Sequence, residues 1–135
     1  QYLESRLALS PLIEQAAIIG EGRSWVGALL VPNFSKLEEY AKKIGLAFSS
    51  REELVGYPEI VNFVKSTIDD LLSDVAKHER VQRIALLTHP FTIQSGELTP
   101  TLKLRRKIIL ERYHDLIASM DAFDTTSSKM APSAV

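Results

Sequence analysis

The sequence predicts an α+β domain in which a small, largely antiparallel three-stranded sheet is covered by about four helices. Three observations predict this class. Two short apolar runs flank a turn-forming segment, a third apolar run ends at a proline, and the segments between them have apolar residues at helical spacing. The length of 135 residues leaves room for one compact domain with a single core.

The strands are predicted from runs rich in apolar and β-branched residues. AAIIG (16–20) and WVGALLVP (25–32) are separated only by the turn formers EGRS, which favours two neighbouring antiparallel strands. The third run, RIALLTH (83–89), stops before Pro90, a residue that cannot donate a hydrogen bond to a sheet.

The helices are predicted from capping signals and from apolar spacing. The first lies at the start of the chain, in YLESRLAL (2–9). The pattern S-x-x-E occurs at Ser35 and again at Ser50, and each predicts a helix start. Pro58 opens a further helix, whose apolar face continues to Val75.

Composition excludes several classes of site. The chain has no cysteine, so it has no disulfide, thiolate nucleophile or zinc–thiolate site. Its formal net charge of −1 provides no global field to hold a nucleic acid or an anionic membrane. The Rossmann, P-loop and G-x-S-x-G motifs are absent. The three histidines, His78, His89 and His114, lack the spacing of metal ligands, so no metal site is predicted.

The sequence makes a separate prediction for each end of the chain. The sequence starts without methionine and without a targeting segment, so we expect it to begin inside a longer protein. At the other end, residues 121–135 are mostly small and polar, and we expect a disordered tail there. The run at 25–32 is far shorter than a membrane span.

The segment SGELTPTLKLRRKIILERY (95–113) contains the strongest candidate site. Between Thr99 and Tyr113, five basic residues and one acidic residue leave a local charge of +4. We expect the last helix to start in this run and to end at about Met120, with Lys103 near its N-terminus. The helix dipole disfavours a cation there, whereas free N–H groups favour an anion. Spacing alone leaves a solvated basic helix and an anion site as alternatives.

The order of these segments resembles a known family. LESRLALSPLIEQAAIIGEGRSWVGALLVPN, followed by RIALLTHPFTIQSGELTPTLKLRRKIILERYHDLI, is similar to the C-terminal domain of long-chain fatty-acid–CoA ligases in the adenylate-forming, AMP-binding superfamily. The similarity covers residues 1–120, and GELTPTLKLRRKII is its most specific part. In this family the domain is a mobile lid on a larger N-terminal domain that binds ATP and the acyl chain.

The resemblance implies an activity for the complete enzyme. Residues 1–120 would be the lid of an acyl-CoA synthetase that activates a fatty acid with ATP to acyl-AMP and transfers the acyl group to CoA. ATP and Mg²⁺ would be bound mainly by the N-terminal domain, and the fragment alone would be inactive. The family implies a cytoplasmic enzyme of fatty acid metabolism, with peripheral membrane association left open.

The resemblance also implies roles for single residues. It maps the family's catalytic lysine onto Lys103, which would stabilise the charge that develops during adenylation. Many relatives have a Ser-Gly pair before this lysine, whereas Thr101 and Leu102 precede it here. Four neighbouring residues are expected to shape or cap the loop: Gly96, Glu97, Thr99 and Thr101.

Two arginines resemble positions at which relatives contact CoA. They are Arg23, in the turn between the first two strands, and Arg80, before the third strand. Each is equally compatible with plain surface. Trp25, at the start of the second strand, is interpreted as a packing residue rather than a stacking platform.

Two other functions stay open at this point. The chain could be a stand-alone module that binds anions or nucleic acid through the basic patch Lys103–Lys107, or an interaction domain whose partner covers an apolar face. The acidic region 52–74 and the single tryptophan argue against nucleic acid, because they offer no continuous basic and aromatic groove.

Overall fold

The computed structural model describes residues 2–121. The chain separates into two compact units, residues 1–91 and residues 92–135. The first unit contains the sheet and the apolar core. The second contains the segment with the candidate lysine.

The elements of the described residues agree with the predicted class. In the first unit they are α1 (Tyr2–Leu7), β1 (Ile13–Ile19), β2 (Gly27–Pro32), α2 (Phe34–Lys43), α3 (Arg51–Gly56), α4 (Pro58–Leu71), a 3-10 helix (Lys77–Glu79) and β3 (Arg83–Leu86). In the second unit they are α5 (Arg106–Arg112) and α6 (His114–Asp121). Three strands with six α-helices in residues 2–121 confirm the α+β class.

The sheet is mixed, with β2 in the middle. β1 pairs with β2 in antiparallel fashion, as the short turn between them predicts, whereas β2 pairs with β3 in parallel. The parallel pair follows from the connection, because the chain between β2 and β3 passes through three helices and returns to the same end of the sheet. Every residue of β2 is buried, as expected for a central strand that is covered on both faces.

The core of the first unit lies between the sheet and helices α2 to α4. Helix α4 buries Ile60, Val64 and Ile68, which recur every four residues and so lie on one face. Leu72 and Val75 extend this buried row beyond the end of the helix. The prediction is therefore confirmed for Val64, Ile68, Leu72 and Val75, whereas Val61 and Leu71, which were also expected on this face, are only partly buried.

One of the two predicted capping signals is confirmed and the other is wrong. Ser50 caps α3, since its Oγ accepts a hydrogen bond from Glu53 N at 3.0 Å. Ser35 does not cap α2, which already begins at Phe34. Its N-cap is Asn33, whose Oδ1 accepts a hydrogen bond from Lys36 N at 3.2 Å. Asparagine caps as well as serine does, so pattern alone could not choose between neighbouring positions.

The last predicted helix is two helices, α5 and α6, which meet at Tyr113. Of the predicted tail, Asp121 belongs to α6, and the remaining residues lie outside the described part of the chain. None of the helices in residues 2–121 is long and apolar enough to cross a membrane.

Candidate functional site: a hairpin that carries Lys103

Lys103 lies in a tight hairpin that we call the lysine hairpin, residues 97–105. Leu98 and Leu104 form an antiparallel bridge across it. On the side of the bridge away from the turn, Arg105 N donates to Glu97 O at 2.8 Å. On the side next to the turn, Thr99 N donates to Lys103 O at 2.8 Å. Main-chain hydrogen bonds on both sides of the bridge therefore hold the backbone of Lys103 in place.

The predicted position of Lys103 at a helix N-terminus is wrong. Helix α5 begins only at Arg106, and its N-cap residue, Arg105, makes no side-chain capping bond. Residues 103 and 104 pair across the hairpin instead of joining the helix. The sequence TLKLRRK suits both a helix and an alternating strand, and the pairing with residues 98 and 99 decides between them. The helix-dipole argument for an anion at Lys103 therefore does not apply.

The tip of the hairpin has an unusual backbone conformation. Leu102 N donates to Thr99 O at 2.8 Å, which closes a β-turn, and Leu102 itself has φ of 65°. A turn followed by a left-handed residue is a common three-residue hairpin loop, in which glycine usually occupies the left-handed position. A leucine there costs about 1–2 kcal/mol. Among the non-glycine residues at 2–121, Leu102 alone has a positive φ.

The structure brings the four predicted loop-support residues together around this hairpin. The Oγ1 atom of Thr99 accepts a hydrogen bond from Lys103 N at 3.0 Å and lies 3.1 Å from Thr101 Oγ1. Gly96 precedes the hairpin with φ of 84°, in a turn closed by its N–H on Ile93 O at 3.0 Å. Such a φ favours glycine, so Gly96 shapes the entry to the hairpin.

Glu97, the fourth of these residues, is buried at the base of the hairpin with 2% of its surface exposed. Its Oε1 accepts a hydrogen bond from Ser95 Oγ at 2.7 Å, and its Oε2 lies 3.2 Å from Nη1 of Arg112. The same Arg112 nitrogen donates to Ser95 O at 2.7 Å. A buried carboxylate requires such partners, so this network connects helix α5 to the hairpin base.

Arg112 is a residue that sequence reasoning did not assign to the site. It follows Glu97 by fifteen positions and looks, in sequence, like one more cation of a basic helix. Its neighbour Tyr113 belongs to the same surroundings. Burial raises the pKa of the Tyr113 hydroxyl, and the negative charge of Glu97 raises it further, so the phenol stays protonated beside the carboxylate.

The tip of the lysine hairpin is exposed. Pro100, Thr101, Leu102 and Lys103 all lie at the surface, and 66% of the Leu102 surface is accessible. Within residues 2–121, the Lys103 ammonium has no hydrogen-bond or ion-pair partner. An ammonium on a long stem, mounted on a fixed backbone, can be presented to an anion such as a phosphate.

The basic patch of the alternative hypothesis is not a single face. Lys103 belongs to the hairpin, whereas Arg106 and Lys107 belong to α5. The cations between 103 and 107 therefore do not project from one helix, which weakens the case for a binding stripe.

Arg23 lies in the turn between β1 and β2, in the first unit. Its N–H donates to Gly20 O at 2.9 Å, and its side chain is exposed. The guanidinium carbon lies 5.5 Å from the centre of the Trp25 ring, and that of Arg83 lies 4.8 Å from the same ring. Trp25 is only 6% exposed, which agrees with its interpretation as a packing residue.

Arg80 lies after the 3-10 helix, also in the first unit. Its Nε donates to Val75 O at 2.5 Å, and one terminal nitrogen donates to Ser73 O at 2.8 Å. These bonds hold the loop that follows α4. Arg80 therefore has a structural task in addition to the contact with CoA that the resemblance suggests.

The first unit also contains two open grooves that none of the predicted site residues lines. One, of about 430 Å³, lies beside the stacked rings of Tyr40 and Phe63, whose centroids are 3.8 Å apart. The other, of about 520 Å³, lies near Arg51 and Phe34. Among residues 2–121, no group of three or more histidine, aspartate or glutamate side chains is placed to hold a metal ion.

Comparisons with known sequences all indicate the same enzyme family. A model of the AMP-binding enzyme C-terminal domain matches residues 1–123. The chain is 29% identical over 112 residues to the long-chain-fatty-acid–CoA ligase FadD15 of Mycobacterium tuberculosis, covering 82% of this chain and 19% of that protein. It is 30% identical over 126 residues to the long-chain-fatty-acid–CoA ligase ACSBG1 of Mus musculus, covering 81% of this chain and 18% of that protein. The chain thus spans about a fifth of these relatives.

Solved structures confirm the fold. The adenylation domain of a carboxylate reductase from Mycobacterium chelonae superposes with a TM-score of 0.71 at 24% identity, covering 89% of this chain and 17% of that one. The corresponding domain of a carboxylic acid reductase from Segniliparus rugosus, in complex with AMP and a co-purified carboxylic acid, gives 0.73 at 22% identity, covering 90% and 17%.

Proposed function

Since this chain belongs to the family of AMP-binding enzyme C-terminal domains, we propose that it is the catalytic lid of a long-chain fatty-acid–CoA ligase. The complete enzyme would activate a fatty acid with ATP to acyl-AMP and then transfer the acyl group to CoA. The names of the similar ligases support this substrate class. The single observation that carries the proposal is the lysine hairpin, which presents Lys103 at an exposed tip on a fixed backbone.

Lys103 would act in the first half-reaction. An oxygen of the fatty carboxylate attacks the α-phosphorus of ATP, a new P–O bond forms, and the bond to pyrophosphate breaks. Negative charge grows on the phosphoryl oxygens and on the leaving pyrophosphate. A positioned ammonium stabilises that charge more in the transition state than in the ground state.

The second half-reaction would use a different face of the lid. After adenylation the lid rotates, the CoA thiolate attacks the acyl carbonyl carbon, and AMP leaves. Arg23 is proposed to contact a phosphate of CoA, because it is an exposed cationic residue in the turn between β1 and β2. Arg80 is also proposed to contact CoA. Its Nε and one terminal nitrogen already donate to Val75 O and Ser73 O, so the other terminal nitrogen would make this contact.

The remaining components would come from outside this chain. The partner is the N-terminal AMP-binding domain of the same polypeptide, which would bind the fatty acid, ATP and Mg²⁺. In the described part of the chain, residues 2–121, no group of three or more histidine, aspartate or glutamate side chains is placed to hold a metal ion. We propose that residues 1–120 are inactive alone, and that the enzyme is cytoplasmic, with peripheral membrane association as a separate question.

The test is Lys103→Ala in the full-length enzyme, with each half-reaction measured separately. Pyrophosphate release from ATP and fatty acid reports adenylation, and purified acyl-adenylate with CoA reports thioester formation. Adenylation should fall by about 10²–10³ while thioester formation is nearly unchanged, because a single electrostatic stabiliser contributes a factor of this size.

Lys107→Ala is the matched control, because Lys107 is an exposed lysine on the neighbouring helix α5. It should leave both rates within about twofold of the unmodified enzyme. Normal adenylation in Lys103→Ala would overturn the proposal. Equal losses in both half-reactions would also contradict it, because they would indicate a misfolded or immobile lid.

A further inference from the structure

Leu102 combines two features that are each unfavourable in the isolated chain. Its backbone has φ of 65°, which L-residues with a branched side chain rarely adopt. Its apolar side chain is 66% exposed at the tip of the lysine hairpin, where it gains little from burial. An outlier of this kind, next to a candidate catalytic residue, points to a function outside the local fold.

The hairpin itself does not require a leucine at this position. The turn closed by Leu102 N and Thr99 O needs a residue that accepts a left-handed backbone, and glycine or asparagine would do so at lower cost. The side chain of Leu102 therefore contributes nothing that the turn needs. Ile93, another exposed apolar residue of the second unit, is 44% exposed and has no positive φ, so exposure alone does not distinguish Leu102.

We propose that Leu102 is a positioning residue, whose side chain packs into an apolar recess of the N-terminal adenylation domain when the lid closes for adenylation. This inference rests on the proposed function, and it adds a docking contact to the role of Lys103. Adjacent Cα atoms are about 3.8 Å apart and residues 100–103 are all exposed, so the Leu102 side chain lies within reach of a surface that receives the tip. The bonds between Thr99 and Lys103 make the tip rigid, so an anchored Leu102 fixes the approach of the ammonium.

The expected contribution of Leu102 to docking follows from the burial of its side chain. Moving a leucine side chain from solvent into an apolar recess shifts a docking equilibrium by about ten- to a hundredfold. The contact exists only in the adenylation conformation, so it should favour that conformation over the one used for thioester formation. Leu102 should therefore affect one half-reaction, as Lys103 does, but to a smaller extent.

The experiment uses three variants of the full-length enzyme. Leu102→Gly and Leu102→Asn keep a residue that tolerates the left-handed backbone and remove the apolar side chain, whereas Leu102→Met keeps an apolar side chain of similar volume. The first two should lower the rate of adenylation about tenfold or more, with little change in KM for ATP and a normal rate of thioester formation from supplied acyl-adenylate. Leu102→Met should stay within about threefold.

Two comparisons make the test decisive. Ile93→Asn should leave adenylation unchanged, since it removes an exposed apolar side chain outside the lysine hairpin. The loss in Leu102→Gly should be equal for fatty acids of different length. A loss that varies with chain length would overturn the inference, because it would mean that Leu102 touches the substrate instead of the domain.

Adenylation at the normal rate in both Leu102→Gly and Leu102→Asn would also overturn the inference. Such a result leaves the proposed function intact if Lys103→Ala, measured in the same assay, still loses adenylation. If Lys103→Ala is itself normal, the proposed function fails. The two failures are therefore distinguishable.

Discussion

The guanidinium of Arg112, at the end of helix α5, lies 3.2 Å from the buried carboxylate of Glu97, at the base of the lysine hairpin. The same arginine donates to Ser95 O, so it holds the chain on both sides of Gly96. This ion pair therefore helps to hold the hairpin base against α5, and its acidic member is buried whereas its basic member is partly exposed.

Removing Arg112 should destabilise the second unit, because it leaves the Glu97 carboxylate buried without its cationic partner. We expect Arg112→Met to cost about 2 kcal/mol, less than for a fully buried pair because the arginine is partly exposed. Urea unfolding of the 135-residue chain measures this cost. Lys107→Met, on the same helix, is the control and should cost below about 0.5 kcal/mol.

A double variant separates the ion pair from general damage. Glu97→Gln combined with Arg112→Met removes the buried charge together with its partner, so the two costs should not add. Strict additivity in the urea experiment would show that the two side chains are not coupled.

Tyr113 should make the stability of the chain depend on alkaline pH. The pKa of its hydroxyl is raised in the folded state by burial first and by Glu97 second. The unfolded state therefore loses this proton at lower pH than the folded state. The contribution to stability is complete below the ordinary tyrosine pKa of about 10 and declines as pH rises through the folded-state value.

Tyr113→Phe removes this group and keeps the ring. Its free energy of unfolding should fall less steeply above pH ~10 than that of the unmodified chain, as measured by urea unfolding at a series of pH values. Tyr57→Phe is a suitable comparison, because its hydroxyl donates to Ala47 O in the first unit. Identical alkaline slopes in Tyr113→Phe and the unmodified chain would contradict the assignment.

Arg23 should contribute to the binding of CoA and not to the binding of ATP. In the full-length enzyme, Arg23→Ala should raise KM for CoA several-fold and leave KM for ATP unchanged, because loss of a partly solvated phosphate contact weakens binding by about 1 kcal/mol. Arg51→Ala is the control for charge, since Arg51 is an exposed arginine of α3 that lies over Phe34. Equal changes for both substrates, or none, would remove Arg23 from the CoA site.

The 135-residue chain alone should bind ATP only weakly. The lysine hairpin offers one ammonium, and the sequence has no glycine-rich phosphate loop. Titration calorimetry should therefore detect no binding at micromolar ATP. Micromolar affinity would contradict the lid proposal and would favour an independent nucleotide-binding module.

The sequence by itself determined the α+β class, the family and the choice of Lys103 as the candidate lysine. These properties depend on local signals, such as the apolar runs that form β1 and β2, the apolar positions Val64 and Ile68, and the motif around Lys103. Each is encoded within a few neighbouring residues, so each can be read without knowing the rest of the fold.

Only the tertiary structure determined which of those segments contact one another. The parallel pairing of β3 with β2, the bridge from Leu98 to Leu104 and the ion pair of Glu97 with Arg112 are contacts between separated residues. The bridge keeps Lys103 out of helix α5, although its sequence is also compatible with a helix. Local propensity differs by less than 1 kcal/mol per residue between such alternatives, so long-range pairing and burial determine the outcome.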